Sequence, residues 1–232
     1  MKATLLQLAP LLVLLGASGR AHALEKNLNE ETAVGGYLAM GTATVLGDGY
    51  ADLPTHNIDQ PKSLSYSAGG GFYIDHYLNE WFGIEAGIGF IGKGVRYKGS
   101  VLGEDWRMRL RLVCMEIPVA LKFNIDRRFQ ITAGIALWVT VSGKETGKTG
   151  SVTIENKFDT DADWAPYRRA NVGPKISFAY AIPVGPVNIV PGLTWMMHLV
   201  NDIDSNDVSA TADYPMREMN IMLQVGIDWF FR

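Results

Sequence analysis

The chain holds one cysteine, Cys114, in 232 residues. A lone thiol closes no internal disulfide, and with no activating partner beside it in sequence it reads as a small apolar side chain. Beyond residue 23 no stretch reaches eighteen consecutive apolar residues, which excludes a bundle of membrane-spanning helices. Positive charge is not in excess: 21 Lys and Arg stand against 24 Asp and Glu, a balance that argues against a nucleic-acid partner. A nucleotide-binding loop is missing as well. Gly143-Lys144-Glu145-Thr146-Gly147-Lys148-Thr149 ends like one, but its glycines stand one residue too close and no helix follows.

What is present begins with an export signal. Lys2 supplies a charged start, Leu5 to Leu15 is mostly apolar with Gln7 and Pro10 interrupting it, and Ala21-His22-Ala23 forms a small-residue cleavage site. The expected division is a signal peptide over 1–23 and one domain over 24–232. Removing those 23 of 232 residues leaves 209, and the loss of Lys2 and Arg20 takes the net charge from −3 to −5. An exported chain without membrane helices is either a soluble β-protein or a barrel that crosses the membrane with strands.

Residue alternation decides between them. From Phe129 to Val141 the odd positions are apolar, while Gln130, Thr132, Gly134, Ala136, Trp138 and Thr140 form a polar or small face. Successive strand side chains point to opposite faces, so one face is greasy and the other is not. The C-terminal segment repeats this pattern, with Ile221, Leu223, Val225, Ile227 and Trp229 against Asn220, Gln224, Gly226 and Asp228. Eight strands are expected, over about 32–46, 63–77, 81–97, 106–124, 129–146, 168–182, 187–199 and 216–231.

The connections alternate in length. Leu78-Asn79-Glu80, Ile125 to Arg128 and Pro183 to Pro186 are short, whereas 47–62, 98–105, 147–167 and 200–215 are long. An all-β, eight-stranded antiparallel transmembrane barrel with short periplasmic turns and longer extracellular loops has this asymmetry. Its place is the outer membrane of a Gram-negative-type bacterium. The 25 glycines suit the bends and crowded interior of a small barrel. Tyr37, Tyr66, Trp81, Phe82, Tyr97, Trp106, Trp195, Trp229 and Phe231 are expected in aromatic girdles at the two membrane surfaces.

The fourth strand changes its pattern midway. Arg107, Arg109 and Arg111 share one parity, yet the apolar set below them, Met115, Ile117, Val119, Leu121 and Phe123, shares it too. This predicts a β-bulge near Val113-Cys114 that turns the upper part of the strand over. Pro118, lacking an amide hydrogen, also disturbs the ladder.

Three stretches together resemble a known family. They are Phe82 to Gly94, glycine-rich and closing on Lys93-Gly94; Met115-Glu116-Ile117-Pro118 continuing to Lys122-Phe123; and Phe129 to Ile135. They are similar to the outer-membrane β-barrel domain family that includes PorT-like proteins, over about residues 82–135. The resemblance implies a porin-family small barrel with a part in the cell envelope and specifies no activity. One departure is the C-terminus: the terminal aromatic that barrel-insertion machinery reads is displaced by one residue, to Phe231 before Arg232.

Ionisable residues expected on inner faces form the candidate site. They are Asp75, Glu85, Lys93, Arg109, Arg111, Glu116, Lys122, Lys175, Glu218 and Asp228. Charge on the lipid face costs up to about 2–4 kcal/mol for Arg or Lys at midplane, and facing inward avoids that. The interior of an eight-stranded barrel is just wide enough for side chains to fill it. The acids and bases are therefore expected to pair and plug the lumen, the alternative being a narrow ion path lined by the same groups. No catalytic residue, metal ligand or cofactor is expected. Of His56, His76 and His198, only His198 could serve a lipid-modifying enzyme, and it reads better as a surface histidine. The acids Asp202, Asp204 and Asp207, like Asp159, Asp161 and Asp163, read as solvated loops rather than calcium ligands. The expected function is a structural, surface-interaction or envelope-assembly role. The expected partners are outer-membrane lipid, the barrel-insertion machinery and an extracellular or envelope protein.

Overall fold

A computed structural model describes residues 31–46, 65–101, 104–126, 128–158, 170–199 and 217–231. The expected signal peptide, His56 and the acidic segments around 159–163 and 202–207 lie outside the described residues. The strands are β1 (Thr32–Leu46), β2 (Ser65–Tyr77), β3 (Phe82–Val101), β4 (Glu104–Ile125), β5 (Phe129–Thr149), β6 (Val152–Phe158), β7 (Ala170–Tyr180), β8 (Ile182–Val184), β9 (Val187–Met197) and β10 (Arg217–Phe231). All pairings are antiparallel. The order runs β1-β2-β3-β4-β5-β7-β9-β10, and β10 returns to pair with β1 from Thr32↔Phe231 to Leu46↔Arg217. The result is a closed eight-stranded barrel. β6 pairs only with the upper part of β5, and β8 is a short strand against the start of β9. No described helix is long and apolar enough to cross a membrane, which says nothing against crossing by strands.

Local chemistry sets the tight ends. Asn79 Oδ1 accepts from the Trp81 amide at 2.9 Å, closing the β2–β3 turn. Asp126 takes a positive φ of 51° between β4 and β5, a region that Asp tolerates, and Gly185 takes 63° between β8 and β9. These turns share one end of the barrel with Thr32 and Phe231, the periplasmic end of an outer-membrane barrel.

At the opposite end β3, β4 and β5 run longer than their pattern indicates. Most of 98–105, expected as a loop, is strand: β3 continues to Val101 and β4 begins at Glu104. Part of 147–167 is strand too, because Gly150, at φ 57°, turns the chain from β5 into β6. Above the membrane both faces of a hairpin are wet, so no greasy face marks it in the sequence.

Burial alternates as the barrel requires. In β7 it reads exposed, buried, exposed, buried from Ala170 onward. Large apolar side chains lie outside: Leu38 is 75% exposed and Phe72 70%, with Leu223, Val225 and Ile135 around the same belt. An apolar band this continuous is a liability in water and is the anchor in lipid. Tyr66, Trp81, Trp229 and Phe231 are exposed aromatics, as a girdle requires. Tyr37 is the exception. It points into the barrel, where its hydroxyl donates to Glu116 Oε2 at 3.3 Å. The side chains of Tyr97 and Trp106 lie outside the described set.

The bulge sits where β4 alternation predicts it, but the extra residue belongs to the neighbouring strand. Val113 pairs with Ser142 and Cys114 with Thr140, leaving Val141 of β5 unmatched. β4 keeps one parity against β3 throughout, from Phe82↔Phe123 to Val101↔Glu104. The β3–β4 register skips only Ile117 and Pro118, where the proline lacks a ladder amide.

Candidate functional site

Eight of the ten candidate ionisable residues project into the lumen. Asp75, Lys93, Glu116, Lys122, Lys175, Glu218 and Asp228 are buried, and the Glu85 side chain is 14% exposed. They come from five strands, β2, β3, β4, β7 and β10, and fall into three groups stacked along the barrel axis.

The group nearest the periplasmic end centres on Lys122 of β4. Its Nζ lies 2.5 Å from Asp75 Oδ2 and 3.8 Å from Glu85 Oε2. The same ammonium sits 5.5 Å and 5.9 Å from the ring centroids of Tyr73 and Tyr77, within cation–π range. The Tyr73 hydroxyl donates to Asp228 Oδ1, reaching over β1 at Gly35, which pairs with both residues. Gly35 makes that reach possible, because a Cβ there would fall inside the Tyr73 ring. The middle group pairs Lys175 Nζ with Glu116 Oε1 at 2.7 Å, with Tyr37 donating to the other carboxylate oxygen. Beside it, a Ser177 and Thr194 hydroxyl pair at 2.8 Å continues from Thr194 to Gln224 at 2.7 Å. The outer group joins Lys93 Nζ to Glu218 Oε2 at 2.9 Å and to His198 Nε2 at 2.9 Å. Asn220 donates to the second Glu218 oxygen at 3.1 Å.

Between the middle and outer groups lies an apolar layer. Ile91, Cys114, Ala136, Trp138, Met196 and Met222 pack together across the lumen. Below it lies a cavity of about 30 Å³ bounded by Tyr37, Tyr73, Glu85, Lys122 and Lys175. That is room for about two waters, against the 10–15 Å³ one needs. Burying a charge is costly unless it is paired and hydrogen-bonded, and in these groups each lysine meets at least one carboxylate. Held so, the ionic groups tie together strands that are not direct neighbours and leave little space between them.

Arg109 and Arg111 are corrected: they are not lumen residues. Both are exposed on the outer wall. The inward positions of upper β4 are Leu110, 1% exposed, and the partly buried Leu112. Because the extra residue is on β5, β4 never turns over. Its change in pattern records the change of solvent instead: outward residues are apolar beside lipid and cationic above it. His198 is corrected as well. It is 4% exposed rather than a surface residue, with its ring 4.8 Å from that of Trp138. Lys93 and Glu218, far apart in sequence, meet only because β10 and β3 face one another across the lumen. Among the described residues no group of three or more His, Cys, Asp or Glu is placed to hold a metal.

Cys114 gives a direct test of this packing. Its thiol is 1% exposed and lies 3.5 Å from Thr140 Oγ1 inside the apolar layer. A water-soluble maleimide is expected to leave it unmodified in the folded barrel and to label it fully in denaturant. Labelling at equal rates in both states would mean an open, wet lumen.

The closed antiparallel barrel, its apolar belt and its polar interior define an outer-membrane barrel protein. Sequence comparison agrees: residues 30–232 match the profile described as "Outer membrane protein beta-barrel domain", and the chain belongs to that family. No curated protein matches the chain. Among solved structures, Ail, the attachment invasion locus protein of Yersinia pestis, aligns over 87% of this chain and 99% of its own, with 12% identity and a TM-score of 0.39. Neisserial surface protein A aligns over 86% and 97%, with 11% identity and a TM-score of 0.40. The outer membrane protease OmpT of Escherichia coli aligns over 91% and 100%, with 10% identity and a TM-score of 0.39. The family match places the chain in the outer membrane.

Proposed function

We propose that the protein is a non-conducting, non-catalytic barrel that acts through its outside surface, in a structural, surface-interaction or envelope-assembly role. The observation that carries this reading is the apolar layer of Ile91, Cys114, Trp138, Met196 and Met222 across the lumen, with paired charges above and below it. A dry constriction opposes ion passage because an ion would shed its water there without replacement ligands. With the interior filled, the outward wall and the outer rim remain for recognition. The resemblance to PorT-like proteins supports envelope assembly within this reading, and an envelope or extracellular protein is the corresponding partner. His198, packed on Trp138 and in contact with Lys93, has the setting of an interior structural histidine rather than of a base serving a lipid substrate.

Single-channel recording of the refolded chain in planar bilayers tests the proposal. Correctly inserted wild-type barrel is expected to be silent, and replacing Trp138 and Met222 together by alanine is expected to introduce steps. Reproducible wild-type steps that change with Glu116→Gln would replace this reading with the narrow-pore alternative. Arg109→Gln and Arg111→Gln should not alter conductance in either case.

A further inference from the structure

The outward face of β3 to β6 changes character at one height. On β4 the exposed side chains run Phe123, Leu121, Val119, Ile117 and Val113 up the wall, and the next is Arg111. On β5 they end at Val141, and beyond the bulge Lys144 follows. From there the register lays out a basic field in rows. Arg111 stands opposite Lys144, and Lys144 opposite Lys157. One row higher Arg96 stands opposite Arg109, and one row above that Arg107 stands opposite Lys148. The field contains one described acidic side chain, Glu155, whose carboxylate pairs with Lys144 at 2.8 Å and is held below its usual pKa by that contact. At the same end of the remaining strands the described outward cation is Arg217.

Like charges set opposite one another on a sheet repel, so an anion lying across the field relieves that repulsion. Adjacent strands stand about 4.8 Å apart, which brings arginines on two strands within reach of one phosphate. The field is continuous with the apolar belt and faces sideways from the wall. It therefore meets whatever lies beside the barrel at headgroup height. In an outer membrane that is the outer leaflet.

We propose that the outward face of β3, β4, β5 and β6 is a binding site for the phosphorylated headgroup of an outer-leaflet glycolipid, gripped by Arg96, Arg109, Arg111, Lys144 and Lys157. The acyl chains of that lipid lie along the belt formed by Val113, Ile117 and Val141. This site is independent of whether the lumen conducts.

Native mass spectrometry of the refolded chain tests it, with bis-phosphorylated lipid A, dephosphorylated lipid A and a soluble sulfated polysaccharide as probes. Wild-type barrel should retain the phosphorylated lipid far better than the dephosphorylated one. Each cation at an anionic surface contributes several-fold, so Arg109→Gln, Arg111→Gln and Lys144→Gln together should cost about a hundredfold in retention. Arg217→Gln should leave retention unchanged. Should the triple variant fail to give a heat-modifiable barrel, Lys157→Gln on β6, outside the barrel wall, is expected to lower retention several-fold by itself. Equal retention of both lipids by wild type, loss with Arg217→Gln, or preference for the soluble polyanion over the lipid would overturn the proposal.

Discussion

Replacing Lys122 by methionine is expected to destabilise the folded barrel by about 3–5 kcal/mol, the cost of leaving buried charge without its partner. Lys122 is the ammonium that Asp75 and Glu85 share, and its side chain is 3% exposed. Methionine keeps the length and the contact with the Tyr73 and Tyr77 rings but removes the charge. The lower lumen then holds Asp75, Glu85 and Asp228 with no described cation among them. The measurement is the denaturant midpoint of the barrel refolded in lipid, followed by its heat-modifiable mobility. Adding Asp75→Asn to Lys122→Met should recover part of the loss, because it removes one of the stranded charges. An unchanged midpoint in the single variant would show that the group is open to water and braces nothing.

The second large effect concerns the outside. Leu38 lies near the middle of the β1 lipid face, 75% exposed, opposite Val225 of β10 and Gly70 of β2. Leu38→Arg should cost about 2–4 kcal/mol, the penalty for a cation at bilayer midplane. Arg109→Leu, the reverse exchange above the belt, should change stability by less than about 0.5 kcal/mol, as surface substitutions do. The contrast is the useful reading, since a soluble barrel would tolerate arginine at both positions. Similar stability of Leu38→Arg and wild type in lipid would place that face away from the hydrocarbon.

Strands, turns and closure were legible in the sequence wherever one face of a strand meets lipid and the other a polar interior. β5 shows this most plainly, with apolar residues at every second position from Phe129 to Val141, and β10 repeats it from Ile221 to Trp229 with Met222 as the exception on the inner face. The β5–β6 hairpin was not legible, because above the membrane neither face needs to be apolar. Arg109 and Arg111 were misplaced for a related reason. Reading polar residues as inward holds only inside the hydrocarbon layer, and β4 leaves that layer between Val113 and Arg111. Tyr37 was misread because an aromatic in a barrel strand suits both a girdle and a lumen hydrogen bond, and the choice depends on Glu116, 79 residues away. The pairing of lumen charges could be anticipated as a set. Which lysine meets which acid could not, since it depends on shear between strands that sequence does not print.

The seam between β1 and β10 also fixes an order of events. Thr32 meets Phe231, so the first and last strands of the barrel must find each other after nearly the whole chain has been made. Tyr73 reaches Asp228 and Lys93 reaches Glu218, both on that late-arriving strand. Two of the three lumen groups are therefore incomplete until β10 is in place. Contacts this remote in sequence slow assembly and make it abrupt. An open sheet of β1 to β9 can already pair Lys122 with Asp75 and Lys175 with Glu116, and the last strand adds Asp228 and Glu218 together.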